Sequence, residues 1–363
     1  MTPQVYNQLK DKKTKAGVTL EDIIQGGVCL PYGANQPPHG VGGVYAGDEE
    51  SYHTFAPLLD PIIEAHHKAS TRAFGLQRFR TNLNPGGLLQ HALDDKGEYI
   101  LYTRMRLCRC VAGFRFAPTI TRAERREIER LVQDCTRDWP GCYRSVLDMT
   151  NEEHDELLRQ RLLFKEPNEY LISAGIARDW PDARGIYCDT NWWQDHSETP
   201  NLMIWCNARD HIGIISNAKG GDVQGVFSRM SKAAWALETA LRDRGHSFAE
   251  DRRLGFLNSS PGDIGPALRA SVSIKLVRLG QQKGFDELMR RLRLDVRADY
   301  ASQKGGRAYR GVFDIGNAET LGKSEVQLIN VMIRGVAICI ALERRLENGE
   351  RLDLQKIDVE SVV

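Results

Sequence analysis

Arg104 and Arg106 stand two residues apart in the strand-like run Leu101-Tyr102-Thr103-Arg104-Met105-Arg106, so their guanidinium groups leave the same face of a sheet. Two planar, permanently charged donors on one face suit a phosphate, and a solvated surface explains such a pair as well. A second candidate is the loop Ser259-Ser260-Pro261-Gly262-Asp263-Ile264-Gly265, with Arg269 after it; taken alone it reads as a plain turn. A third is Asn191-Trp192-Trp193-Gln194-Asp195-His196-Ser197-Glu198. Adjacent tryptophans in a polar loop mark a contact: Trp192 or Trp193 covers local core, meets another subunit or walls a ligand pocket. Asp195, His196 and Glu198 carry metal-ligating groups, but sequence-local clusters of this kind are common in solvated turns, and no metal is expected.

Those residues need a frame. Short helical patterns, such as Leu20 through Ile24 and Tyr52 through Ala65, occupy the first hundred residues around the Gly/Pro-rich stretch Cys29 to Gly47. Turn chemistry at Asn84-Pro85-Gly86-Gly87 and Asp94-Asp95-Lys96-Gly97 makes Arg78 to Lys96 a linker. The expected division is a helical unit over 1–97 and a larger one over 98–363. In the second, Tyr99 to Cys108, Leu202 to Cys206, Ile212 to Ser216, Val272 to Leu279 and Val312 to Ile315 read as strands. Thr121 to Cys135 places Ile128, Leu131, Val132 and Cys135 on one helical face. Ser324 and Gln327 have capping-box spacing, and Val326, Ile329, Ile333, Val336 and Ile340 line up behind them. The fold class is α+β, with strands in one sheet and helices packed on it.

The chain has 363 residues, 41% hydrophobic and 27% charged, an ordinary globular composition that excludes fibre and wholesale disorder. Its 49 Lys plus Arg against 48 Asp plus Glu give a net charge of +1, so no whole-chain field draws it to nucleic acid or an anionic membrane. The eight cysteines form no C-x-x-C pair and read as free thiols. The polar start shows no secretory signal and no segment reads as a membrane span, so the expected location is the cytoplasm.

Three segments change the weight of the arginines. Ala177-Arg178-Asp179-Trp180-Pro181-Asp182-Ala183-Arg184-Gly185-Ile186-Tyr187, Trp205-Cys206-Asn207 with Asp210-His211, and Val312-Phe313-Asp314-Ile315 closely resemble the phosphagen kinases. Those are the creatine and arginine kinases, which move the γ-phosphoryl of ATP to a guanidino compound. The likeness starts at Thr2-Pro3, includes Ala46-Gly47-Asp48-Glu49-Glu50-Ser51-Tyr52 and runs to Leu346. It implies a small helical N-terminal domain and a larger domain with an antiparallel sheet flanked by helices. It also implies that Arg104, Arg106, Arg269 and Arg297 hold nucleotide phosphates, that Gly42-Gly43-Val44-Tyr45 lies over the acceptor, and that the protein is a homodimer.

The resemblance also shows departures. Where the family has Asn-Glu-Glu-Asp-His, its second Glu gripping the guanidinium, this chain has Asn207-Ala208-Arg209-Asp210-His211, and a cation there repels a guanidinium. Ser260 matches the family's reactive cysteine, Gly213 one of its phosphate-binding arginines, and Arg161 and Ser273 its two adenine-side histidines. Losing one preorganised electrostatic donor costs roughly 10²- to 10³-fold in rate. The resulting expectation is a catalytically inactive pseudoenzyme that keeps the interdomain cleft for an anionic or conjugated small molecule, a pigment or a nucleotide, with Trp192 or Trp193 as an aromatic wall. An active ATP:guanidino or altered-acceptor phosphotransferase using MgATP is the alternative, and a storage or structural protein is the third reading. Neither nucleic acid nor a membrane is an expected partner.

Overall fold

The computed structural model describes residues 1–28, 43–67, 79–90, 93–160, 162–190, 200–298 and 311–358. The N-terminal part is helical. Helix α1 (Pro3–Leu9) starts on Thr2, whose side chain accepts from the Val5 N–H, with proline at the position where no N–H is needed. It is followed by α2 (Leu20–Val28), α3 (Ser51–Thr54) and α4 (Ala56–His67). Leu20, Ile23, Tyr52, Phe55, Leu59 and Ile63 are buried, the inward stripe that the helical spacing predicts.

Among the described residues, eight strands form one sheet in the order β2-β3-β4-β5-β1-β8-β10-β9. They are β1 (Ile100–Arg109), β2 (Cys142–Ser145), β3 (Gly185–Cys188), β4 (Leu202–Cys206), β5 (Ile212–Lys219), β8 (Leu268–Lys275), β9 (Leu294–Ala298) and β10 (Val312–Asn317); β6 (Glu250–Asp251) and β7 (Gly255–Phe256) make a separate two-stranded ribbon. Helices α5 (Arg122–Thr136), α6 (Asn151–Arg159), α7 (Glu169–Ser173), α8 (Val223–Asp243), α9 (Phe285–Arg291) and α10 (Glu325–Glu347) accompany the sheet. The antiparallel sheet with helices is the expected α+β class. One predicted strand is displaced. The sequence suggests Val272 to Leu279, but the strand ends at Lys275, because the Arg278 and Leu279 N–H groups donate to the buried carboxylate of Glu343 and start a short 3₁₀ turn.

The described chain falls into two compact units, each made of separated segments: Met1–Arg80, Leu107–Ile215 and Lys232–Ala267 in the first; Thr81–Arg106, Ser216–Ser231 and Leu268–Val363 in the second. In the first, Ile186, Cys188, Met203 and Ile215 from three strands pack on Leu157, Leu162 and Phe164. α5 carries the capping box Thr121–Glu124 and buries Ile128, Leu131, Val132 and Cys135 as predicted. In the second, α10 carries the expected Ser324–Gln327 box and packs on β8, β9 and β10. At 23 residues it is long and apolar enough to cross a membrane, which the sequence reading did not expect of any segment. Its apolar residues, including Val326, Ile329, Ile333, Val336 and Ile340, are buried. Glu325, buried at its first turn, accepts from Thr81 Oγ1 and the Asn82 N–H, tying the predicted linker to this helix.

Candidate active site

The second unit gathers arginines on one sheet face. On β8, Leu268, Ala270, Val272 and Ile274 are buried, while Arg269, Ser271 and Ser273 alternate with them on the other face. Ser273 lies opposite Asp314, Asp314 opposite Arg297, and Asp295 opposite Gly316, so these side chains share the Arg269 face. There Arg269 donates to Asp295 Oδ2 at 3.0 Å and to Asp314 Oδ2 at 3.5 Å, and Arg297 Nε donates to the same Asp295 oxygen at 2.9 Å. One carboxylate thus bridges two guanidiniums. Burial works to raise the Asp295 carboxyl, but Arg269 and Arg297 outweigh it and hold it below the usual range. Burial and the charge of Arg269 push the Arg297 guanidinium down to about 10, Arg106 adding to the push. Arg104 and Arg106 are half-buried on β1, alternating with the buried Thr103, Met105 and Leu107. Crowding like charges costs free energy that a polyanion would offset.

The first unit holds the other candidates. In the turn 207–211, Asn207 takes a left-handed conformation (φ 51°) and its side-chain amide donates to Arg125 O and Ala183 O. Two residues on, Arg209 Nη2 donates to Asp263 Oδ2 at 2.9 Å. Burial works against the Arg209 charge, but Asp263 and then Asp210 outweigh it, so the group stays cationic. Asp210 Oδ1 accepts from the Ser259 N–H at 2.9 Å and from Ser259 Oγ at 2.6 Å, while Ser259 O accepts from the Ala46 N–H. Three loops, around 46, 210 and 260, are therefore stitched together. Ser260 is buried and its Oγ accepts from the Gly262 N–H at 3.3 Å.

Of the loop expected over the acceptor, Gly42 lies outside the described residues, as do Trp192, Trp193, Asp195, His196, Glu198 and Arg161. Gly43 has φ 78°, and a Cβ there would sit 2.4 Å from Gly27 Cα, so only glycine fits. Val44 and Tyr45 are buried, and the Tyr45 ring packs 6.1 Å from that of Tyr170. Gly213 is buried on β5 beside Trp205, where a Cβ would make ordinary contact at 3.5 Å, so local packing does not demand glycine there. Among the described residues no three His, Cys, Asp or Glu side chains group to hold a metal ion.

His211 is held neutral. The Val111 N–H donates to Nδ1 at 3.0 Å, which leaves the proton on Nε2, 2.9 Å from Arg115 O. Burial lowers its pKa to about 4. The unfolded chain, with an ordinary imidazole near 6.5, then binds more protons than the folded one between about pH 4 and 6.5, so stability falls as pH drops through that window. Going from pH 7 to pH 5 is expected to remove about 2 kcal/mol through this group alone. Urea unfolding of the wild-type and His211→Gln chains at both pH values checks this; equal pH sensitivity of the two would contradict it.

The N-terminal helices and the antiparallel sheet with its arginine-bearing face are features of a phosphagen kinase fold. The chain belongs to the ATP:guanido phosphotransferase family: the C-terminal catalytic domain of that family matches residues 125–346 and its N-terminal domain residues 1–64. It is 37% identical over 358 residues to creatine kinase B-type of Gallus gallus and 35% to creatine kinase M-type of Rattus norvegicus, in each case over 97% of this chain and 90% of the relative. Among solved structures, lombricine kinase superposes with a TM-score of 0.85 at 31% identity, covering 97% of this chain and 93% of that one. The duplicated taurocyamine kinase of Schistosoma mansoni, with bound transition state analog components, gives 0.83 at 28%, over 96% of this chain and 46% of that one.

These findings overturn the expectation of a catalytically inactive pseudoenzyme whose cleft binds a pigment or other small molecule. The family's catalytic domain is present, and the likeness to kinases runs the length of the chain. The error has a physical source. The sequence argument treated Arg209 as an isolated cation facing an incoming guanidinium, whereas its charge is matched at 2.9 Å by Asp263, 54 residues along the chain. Of the carboxylates that pair with these arginines, Asp263 and Asp314 lie in segments the sequence reading quoted without giving them a role, and Asp295 it did not name. The alternation Asp295-Val296-Arg297 was the signal for one of them.

Proposed function

We propose that this protein is an ATP:guanidino phosphotransferase, moving the γ-phosphoryl of MgATP to a guanidino nitrogen of a small acceptor. The observation that carries this reading is the convergence of Arg269 and Arg297 on one carboxylate, Asp295, with Arg106 near enough to push the Arg297 guanidinium down. In this reading Arg104, Arg106, Arg269 and Arg297 hold the nucleotide phosphates and neutralise charge as the phosphoryl group leaves. Divalent magnesium arrives on the nucleotide. On the acceptor side, Gly43, Val44 and Tyr45 line the substrate loop, and Asp263 is the carboxylate for the guanidinium in place of the family's Glu, with Arg209 as its resident partner. Transfer then depends on holding the two substrates in line rather than on covalent chemistry by the protein.

A coupled ADP-release assay with creatine, arginine, lombricine and taurocyamine tests the reading. Turnover with at least one of them, approaching the enzyme median of about 10 s⁻¹, is expected. Rates below about one-thousandth of that median with all four would sink it.

A further inference from the structure

Within the first unit, beneath the 207–211 turn, lies a cavity of about 10 Å³, room for one sphere of roughly water size. Arg125, Arg184 and Arg209 are among its lining residues, with the apolar Ala117, Ile120 and Ile176. Arg125 and Arg184 are each 1% exposed, and each keeps a guanidinium nitrogen, Arg125 Nη2 and Arg184 Nε, without a hydrogen-bond partner. Leaving a charged donor buried and unpaired is expensive, so two around one void call for an acceptor inside it.

The rest of the lining supplies one carboxylate, Asp210, against three guanidiniums. Arg184 donates only to backbone carbonyls, those of Asp182 at 3.1 Å, Ile176 at 3.1 Å and Arg178 at 3.2 Å. Both His211 nitrogens are engaged with Val111 and Arg115, and the Asn207 amide donates to Arg125 O and Ala183 O. Asp210, the lining carboxylate, turns Oδ1 to Ser259. The carboxylates paired with Arg125 and Arg209, Asp179 and Asp263, are 22% and 23% exposed and so lie toward the rim. Ile120 and Arg125 flank the start of α5, where the helix dipole also favours negative charge. Burial first, and then the neighbouring charge of Arg125, depress the Arg184 guanidinium to about 10.

We propose that this cavity binds a single monatomic anion of the halide class, chloride in ordinary solution, on the free N–H groups of Arg125 and Arg184. Its lining of guanidinium donors and aliphatic carbon suits a small anion held by charge rather than by several directed hydrogen bonds. The site is a structural anchor for the α5, 176–184 and 207–211 segments and does not depend on the reaction assigned to the protein.

Crystals of the full chain grown in sodium bromide, measured at the bromine absorption edge, test it directly: an anomalous peak within hydrogen-bonding reach of Arg125 and Arg184 is expected. In solution, sodium chloride should raise the unfolding midpoint saturably, by roughly 2–4 °C at tenfold excess over its dissociation constant, relative to sodium gluconate at equal ionic strength. Arg184→Met should flatten that difference; should the variant fail to fold, the wild-type measurements decide. A cavity holding only water in the bromide crystal, or identical midpoints in the two salts, overturns the proposal.

Discussion

Replacing Arg269 with alanine is expected to lower kcat/KM for MgATP by about 10²- to 10³-fold, the range seen when one preorganised donor to a developing charge is removed. Arg269 is the side chain that organises the face. It touches Asp295 and Asp314 at once and sits within the electrostatic reach of Arg297. Without it Asp295 keeps the Arg297 contact, so the face loses a cation and gains a less compensated carboxylate where the proposed function puts the nucleotide's phosphates. Both changes act in the same direction. The loss should fall on kcat as well as KM if the arginine neutralises charge that develops in the transition state, as the proposed function has it. Arg269→Lys should recover only part of it, because an ammonium cannot repeat the forked geometry. Steady-state kinetics of both variants check this, and a tenfold or smaller effect of the alanine variant would remove Arg269 from the phosphate site.

The same residues show what a single sequence reveals. Arg104 and Arg106 were legible because strand periodicity alone puts them on one face, and they remain half-buried between fully buried neighbours. The capping box at Ser324 was equally local, a matter of residues three apart, as was the apolar face of Thr121 to Cys135. Strands β2 and β3 were not seen. Each is four residues long, and Gly185–Cys188 is buried at every position, so no alternation marks it. The end of β8 was misjudged because a carboxylate on α10, Glu343, decides it from 64 residues away. The same limitation, distance along the chain, hid the partner of Arg209 and led the charge argument to the wrong function.

That pair supplies the second large effect. Asp263→Asn keeps the shape of the side chain but leaves the Arg209 guanidinium, only 21% exposed, beside an amide. Breaking a buried pair from one side costs about 3–5 kcal/mol; with both groups about one-fifth exposed, water recovers part of this, and a loss of about 2–4 kcal/mol is expected. Arg209→Met should cost less, because Asp263 can turn its exposed edge to solvent. The double variant, with neither charge, should be more stable than Asp263→Asn alone, since the desolvation penalty of the cation disappears with it. Denaturant unfolding of the wild type and the three variants gives the coupling energy, expected at about 1–3 kcal/mol for groups in direct contact. The kinetic arm separates structure from recognition. If Asp263 is the acceptor's carboxylate, the double variant regains stability without regaining acceptor affinity, whereas a purely structural pair would restore both. Additive stabilities would mean that the 2.9 Å contact contributes nothing, and the account of how this chain tolerates arginine at position 209 would have to be abandoned.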